Sequence, residues 1–253
     1  MKIHFLTSGS DKSRKAHKLF TEMYGQAVLD DADVIVALSG DGMVLRAFHE
    51  NFNKNNIPIY GMNRGRIGFL TNKFQTDGLL ERLEHAHPLK INPLVVEAVD
   101  IDGERFKSIA INEVYLMRAS NQAAKLHLSV DNIPRINELI CDGIIVASPI
   151  GSTAYNYSAD GPVLPINCGL LSLASLSAFR PRRWKGALIE NSSVVDLSII
   201  EPYKRPVTVV ADYTEFQKVA SAHVYQDVHR SVTLLLDDVD MLHEKMMREQ
   251  FFS

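Results

Sequence analysis

The sequence predicts an α/β N-terminal domain, built on a doubly wound, mainly parallel sheet, followed by a β-rich, sandwich-like C-terminal domain. Three observations carry that expectation. Up to about residue 90, short apolar runs alternate with helical stretches. One of those runs, Asp33–Leu38 (DVIVAL), is continuously apolar, as a strand covered on both faces of a parallel sheet should be. From Pro93 onward the pattern becomes a series of short β runs separated by turn signals.

Lys2–Leu6 reads as the first strand. Apolar residues at 16, 19, 20 and 23 then line one face of a helix over Lys12–Tyr24. After the Asp33–Leu38 strand, a helix over Met43–Asn51, a strand over Pro58–Met62 and a helix over Thr76–His85 continue the alternation. Such a layer places ligands at the carboxyl ends of its strands. In the second half, strands are expected at Leu94–Ile101, Phe106–Met117, Lys125–Val130, Gly143–Ser148, Val194–Ile200, Val207–Ala211, Phe216–Ser221 and Ser231–Leu236. Hairpin signals lie at Asp102-Gly103, Asp131-Asn132 and Asp212–Thr214. The apolar run Leu170–Leu176 fits internal core and subunit contact equally. Asp240–Phe252 has helical period. The expected domains are therefore 1–90 and 91–237, with 238–253 returning to the first.

Composition narrows the function classes. Of 253 residues, 46% are hydrophobic and 23% charged, which excludes a disordered or fibrous chain. Twenty-seven Lys+Arg against 30 Asp+Glu leave a net charge of −3, without the basic excess of a general nucleic-acid or membrane-surface binder. Cys141 and Cys168 form neither a disulfide framework nor a metal motif and read as reduced thiols. The N-terminus has no secretory core, and no window approaches the ~20 apolar residues of a membrane span. The expectation is a cytoplasmic protein.

Four segments carry chemistry. Ser39-Gly40-Asp41-Gly42 follows a strand and precedes a helix. Taken alone it favours a turn with Asp41 as N-cap; the other reading is a loop in which glycines admit a phosphate and the acid reaches a ligand hydroxyl or a metal. Gly61 to Thr71 holds three glycines and Asn63 after a strand, another close-approach loop. Asn112-Glu113 interrupts the apolar run from Ile109 to Met117. Either the strand ends or bulges there, or the pair meets a ligand: Asn can pair with an adenine edge, and Glu can accept from sugar hydroxyls. Asp142-Gly143 opens an apolar strand that ends in Ser148-Pro149-Ile150-Gly151-Ser152-Thr153-Ala154-Tyr155. No Gly-x-Ser-x-Gly elbow is present, which argues against Ser152 as a hydrolase nucleophile, and a capped helix start fits the hydroxyls. There is no Walker A lysine.

Together and in this order, the four segments resemble the bacterial NAD kinase family over nearly the whole chain. The matching motifs are Gly-Asp-Gly at 40–42, Gly-x-Asn-x-Gly-x-x-Gly-Phe-Leu at 61–70, Asn-Glu at 112–113, Asp-Gly at 142–143 and Gly-Ser-Thr-Ala-Tyr at 151–155. The resemblance implies transfer of the terminal phosphoryl group of ATP, or of polyphosphate in its place, to the adenosine-ribose 2′-hydroxyl of NAD. It implies Asp41 as catalytic base, and Gly40 and Gly42 as the phosphate-binding turn. Asn63 and Ser152 count among the substrate-binding positions. Asn112 and Glu113 would hold adenosine, with Thr153, Ala154 and Tyr155 lining its pocket. Asp142 would lie near the nicotinamide half and Asp212 near the acceptor. The partners implied are NAD and ATP with Mg²⁺ or another divalent metal, in a homodimer or homotetramer, with no resident metal ligands assigned. Four positions depart from the family pattern: Ser39 and Met43 flank the Gly-Asp-Gly turn where Gly and Thr are usual, Tyr213 follows Asp212 where Gly-Gln is usual, and Ile140 stands where some relatives have Arg. The competing readings are a lipid or sugar kinase sharing the Gly-Asp-Gly turn, and a dinucleotide sensor without turnover.

Overall fold

A computed structural model describes residues 1–52, 56–64 and 68–251. Gly65, Arg66 and Ile67 of the second motif, and the last two residues, lie outside that set. The chain divides into two units, Met1–Ile91 with Ser231–Ser253, and Asn92–Arg230.

The first unit runs β1 (Ile3–Thr7), α1 (Asp11–Tyr24), β2 (Val34–Ser39), α2 (Asp41–Asn51), β3 (Ile59–Asn63), α3 (Leu79–His85) and β4 (His87–Ile91). Helix α1 starts where the Ser10 hydroxyl accepts the Ser13 amide, and buries Ala16 and Phe20. Helix α3 begins three residues later than its apolar period suggests, because Gly78 takes a left-handed conformation at its N-cap. Ile3, Phe5, Val36, Leu38, Tyr60 and Met62 form one sheet face with Phe20 of α1 and Leu79 and Leu83 of α3. Gly61 points the other way: a Cβ there would meet Val44 of α2 at 2.7 Å. Helices therefore cover both faces of the sheet.

The second unit contains β5 (Leu94–Asp100), β6 (Arg105–Ala110), β7 (Glu113–Arg118), β8 (Ala124–Val130), β9 (Ile133–Cys141), β10 (Gly143–Ala147), a 3₁₀ turn (Ile150–Thr153), α4 (Tyr155–Ser158), β11 (Leu170–Leu176), β12 (Gly186–Glu190), β13 (Val195–Ile199), β14 (Val207–Ala211), β15 (Thr214–Phe216) and β16 (Val219–Gln226). They form two six-stranded antiparallel sheets, ordered β12-β11-β10-β7-β14-β15 and β6-β5-β16-β13-β8-β9. A single apolar core, with Leu94, Val96, Leu116, Leu126, Val146 and Leu173 among its members, joins them. The run expected as one strand over Phe106–Met117 is two: the chain breaks at Ile111-Asn112 and passes from one sheet to the other. Phe216–Ser221 likewise splits between β15 and β16. Asp131 and Asn132, both with positive φ (55° and 62°), turn β8 into β9.

The chain then forms β17 (Val232–Leu236) and α5 (Val239–Phe251). Strand β17 pairs with β3 in parallel and with β4 antiparallel, completing the first unit's sheet in the order β1-β2-β3-β17-β4. The segment expected to end the β-rich half thus belongs to the first unit: its alternation specifies a strand, not its partner. Helix α5 buries Leu242 and Met246. No helix among the described residues is long and apolar enough to cross a membrane.

Candidate active site

In the first unit, parallel strands β2 and β3 end side by side, with Ser39 opposite Asn63. The N-cap of α2 is Gly40 rather than Asp41, and Gly40 makes no side-chain cap. Asp41 instead turns its carboxylate toward the loop after β3. Oδ2 accepts the Phe69 amide at 2.7 Å and Oδ1 the Leu70 amide at 3.0 Å. Burial raises the Asp41 pKa above the ordinary carboxylate value, opposed by the two amides and by the Lys245 ammonium. A carboxylate so placed is more basic than a solvated one yet still held in orientation. Gly68 makes the grip possible, since a Cβ there would stand 2.1 Å from Thr71 Oγ1 and 2.8 Å from Asp41 Oδ1. Around Gly40 and Gly42 nothing lies within 4 Å of an added Cβ, and neither has positive φ. The fold itself does not require glycine at those two positions. Asn63, at the end of β3, donates its amide to Asn72 O at 2.9 Å.

In the second unit the remaining segments converge on the sheet break. Asp212, at the β14–β15 turn with φ 53°, accepts the Ile111 and Asn112 amides at 2.8 and 2.9 Å. Ser148 Oγ donates to Ile111 O at 2.6 Å, and the Ser148 amide donates to Asn112 O at 2.9 Å. The interruption that the sequence left open is therefore a strand end, with its backbone polar groups held by Asp212 and Ser148. Glu113 follows, buried, with Oε2 lacking a hydrogen-bond partner. Its ring neighbours are Tyr155 and Tyr115, in a T-shaped contact at 5.1 Å that flanks this corner. Ser152 is fully buried; its hydroxyl donates to Pro149 O and accepts the Leu164 amide, so the side chain supports the turn. Thr153, Ala154 and Tyr155 remain partly exposed beside it. Asp142 takes Arg118 Nε on Oδ1 at 2.5 Å. Arg118 comes from strand β7. Sequence spacing did not single out Arg118 or Lys245, because both partners come from distant elements.

Burial and the nearby Asp212 charge push the Glu113 pKa from an ordinary 4.5 to about 8. Between those values the folded chain holds a proton that the unfolded chain has lost, so stability falls as pH rises. This contribution is complete below about 4.5 and gone above about 8. Glu113→Gln copies the neutral form and cannot ionise. We expect it to match the parent's melting temperature at pH 5 and exceed it at pH 8, by the equivalent of a few kcal/mol. Thermal unfolding of both proteins across pH 5–8 checks this, and parallel curves would contradict it.

Known proteins align with this chain along its length. Residues 4–87 match the family model of the ATP-NAD kinase N-terminal domain, and residues 111–229 that of the C-terminal domain. A protein named NAD kinase from Rhizobium meliloti is 43% identical over 249 residues, covering 98% of this chain and 96% of its own. One from Cereibacter sphaeroides is 47% identical, covering 99% and 98%. Among solved structures, yeast NADH kinase complexed with NADH superposes with a TM-score of 0.86 at 17% identity, covering 99% of this chain and 87% of its own. An NAD kinase from Archaeoglobus fulgidus in complex with ATP gives 0.79 at 20% identity, with 98% of each chain covered. The last two establish the shared fold, and the identity to the bacterial proteins over nearly every residue establishes kinship: this chain belongs to the NAD kinase family.

Proposed function

We propose that the chain transfers the terminal phosphoryl group of ATP to the adenosine-ribose 2′-hydroxyl of NAD, giving NADP. The observation that carries this reading is a half-buried, amide-held aspartate at the carboxyl ends of parallel strands in a chain of this family. Phosphoryl transfer asks the protein mainly for positioning and charge neutralisation. Asp41 accepts the hydroxyl proton as the new bond from the ribose oxygen to the γ-phosphorus forms and the bond from that phosphorus to the β–γ bridging oxygen breaks, with ADP leaving. Gly40 and Gly42, which the fold does not need as glycines, leave room for phosphate oxygens at the start of α2. Asn63 belongs to the same strand end. Asn112, with its backbone fixed by Asp212 and Ser148, presents its side-chain amide to adenine. Glu113, neutral at pH 7, offers a hydroxyl donor as well as an acceptor to the sugar. Thr153, Ala154 and Tyr155 line that pocket, with Ser152 behind them. Asp142, oriented by Arg118, serves the nicotinamide half.

Among the described residues no group of three His, Cys, Asp or Glu could cage a metal ion, and both Asp41 oxygens are already engaged. The divalent ion belongs with the substrate, as MgATP, carried on phosphate oxygens. A cytoplasmic homo-oligomer of two or four subunits completes the reading.

Purified protein supplied with ATP and Mg²⁺, coupled to an NADP-specific dehydrogenase, tests the activity directly. NAD should turn over. Nicotinamide mononucleotide, scored by its phosphorylated product, should not, because it lacks the adenosine that Asn112 and Glu113 hold. Comparable turnover of the mononucleotide would overturn the adenosine assignment, and no turnover of NAD would overturn the activity.

A further inference from the structure

Lys245 belongs to none of the motifs, yet it is the cation nearest in effect to the candidate base. It lies on α5, half-buried, and its Nζ donates to Gly68 O at 2.8 Å and Thr71 O at 3.1 Å. These two carbonyls bracket Phe69 and Leu70, whose amides hold Asp41. The Gly68 carbonyl and the Phe69 N–H belong to one planar peptide unit, so fixing one fixes the direction of the other. A cation on that oxygen also polarises the amide and strengthens the N–H as a donor. An unbroken path thus runs from the Lys245 ammonium, through the Gly68–Phe69 peptide, to Asp41 Oδ2.

We propose that Lys245 is a positioning residue for Asp41, by which the C-terminal helix orients the catalytic carboxylate and tunes its basicity through the Gly68–Phe69 peptide. The inference rests on Asp41 being the base. Burying an ammonium half-way is unfavourable, and burial lowers the Lys245 pKa, against which the Asp41 charge acts. A purely mechanical strut at this place would need no charge. Among the described residues, Lys245 is the charged group whose field reaches Asp41. Lys73, Arg82, Asp237 and Asp238 share with Lys245 the lining of a neighbouring cavity of about 200 Å³, where Arg82 and Asp237 pair with each other at 2.5 Å.

The sign of the effect is fixed. A base works ionised, so activity falls as pH drops through its pKa. Removing the cation takes away an influence that holds that pKa down, and the acidic limb of the kcat–pH profile moves to higher pH. For Lys245→Met the shift expected is on the order of one pH unit, with kcat on the limb lowered up to roughly tenfold. Lys245→Arg keeps charge and donors and should restore the limb. Lys245→Gln keeps a donor without the charge; should the Met variant fail to fold, the Gln–Arg pair carries the test. A displaced limb in Met or Gln, restored in Arg, supports the proposal. Lower melting temperatures with superimposable profiles would reduce Lys245 to a strut and overturn it. Asp41→Asn, measured alongside, separates the two levels. If it retains the acidic limb, the base assignment itself fails. If it abolishes the limb while the Lys245 variants leave it in place, only the role of Lys245 fails.

Discussion

Replacing Asp41 by Asn is expected to lower kcat on the order of 10²–10⁴-fold, with NAD affinity changed by no more than a few-fold. The reasoning is that Asn keeps the volume and polarity but cannot accept a proton at neutral pH. The structure adds a second consequence that an N-cap role would not produce. Both Asp41 oxygens accept backbone amides, from Phe69 and Leu70. An Asn has one acceptor oxygen, so its NH₂ must confront one of those N–H groups, at a cost of about 1–3 kcal/mol. A somewhat lower melting temperature should therefore accompany the loss of turnover. The pH profile distinguishes chemistry from lost structure, because the variant should lack the acidic limb altogether. Measuring kcat against pH, NAD binding and thermal unfolding on one preparation gives all three. A variant with parental kcat would leave Asp41 as an anchor of the loop after β3 and nothing more.

What the sequence made legible, and what it did not, follows from the range of the interactions. The alternation of DVIVAL with amphipathic α1 identified the first unit's layer, because strand and helix periods are local properties. The aspartate and asparagine punctuation at 131–132 and 212 identified hairpins for the same reason. Partners are not local. Strand β17 has the same alternation whether it joins the first sheet or a sandwich, and only the paired register with β3 and β4 decides. The Leu170–Leu176 run was ambiguous because a strand with both faces covered carries no polar period; it is β11, the neighbour of β10. The motif residues themselves stand out in the sequence. Their supports do not: Phe69 and Leu70 act through backbone amides, which any residue supplies, and Arg118 and Lys245 reach their partners across 24 and 177 residues. The hold of Asp212 on the Ile111 and Asn112 amides was out of reach for the same reason, since it spans about 100 residues of sequence.

That dependence on backbone placement makes Gly151→Ala the other substitution with a large expected effect. A Cβ at 151 would lie 2.0 Å from the Asn112 carbonyl oxygen and 2.3 Å from its carbon. No flexible side chain can yield there, because the obstructing atoms are backbone. The same oxygen accepts the Ser148 amide, and the Asn112 N–H is fixed by Asp212, so moving residue 112 breaks contacts on both sides. Overpacking of this kind costs about 3 kcal/mol, which corresponds to a melting temperature lower by roughly 6–12 °C. In activity, displacing Asn112 and Glu113 should raise KM for NAD on the order of 10–100-fold, as expected when ground-state binding contacts are lost. The KM for ATP should change less, since Gly40, Asp41 and Gly42 belong to the other unit. Gly42→Ala supplies the control for the exchange itself. Its Cβ meets nothing within 4 Å, so the melting temperature should hold, and lost activity at unchanged stability would support the phosphate contact proposed for this turn. Equal stability of Gly151→Ala and the parent would mean that the turn carrying Ser152 and Thr153 can separate from the Asn112 strand end. The adenosine site could not then depend on their close approach.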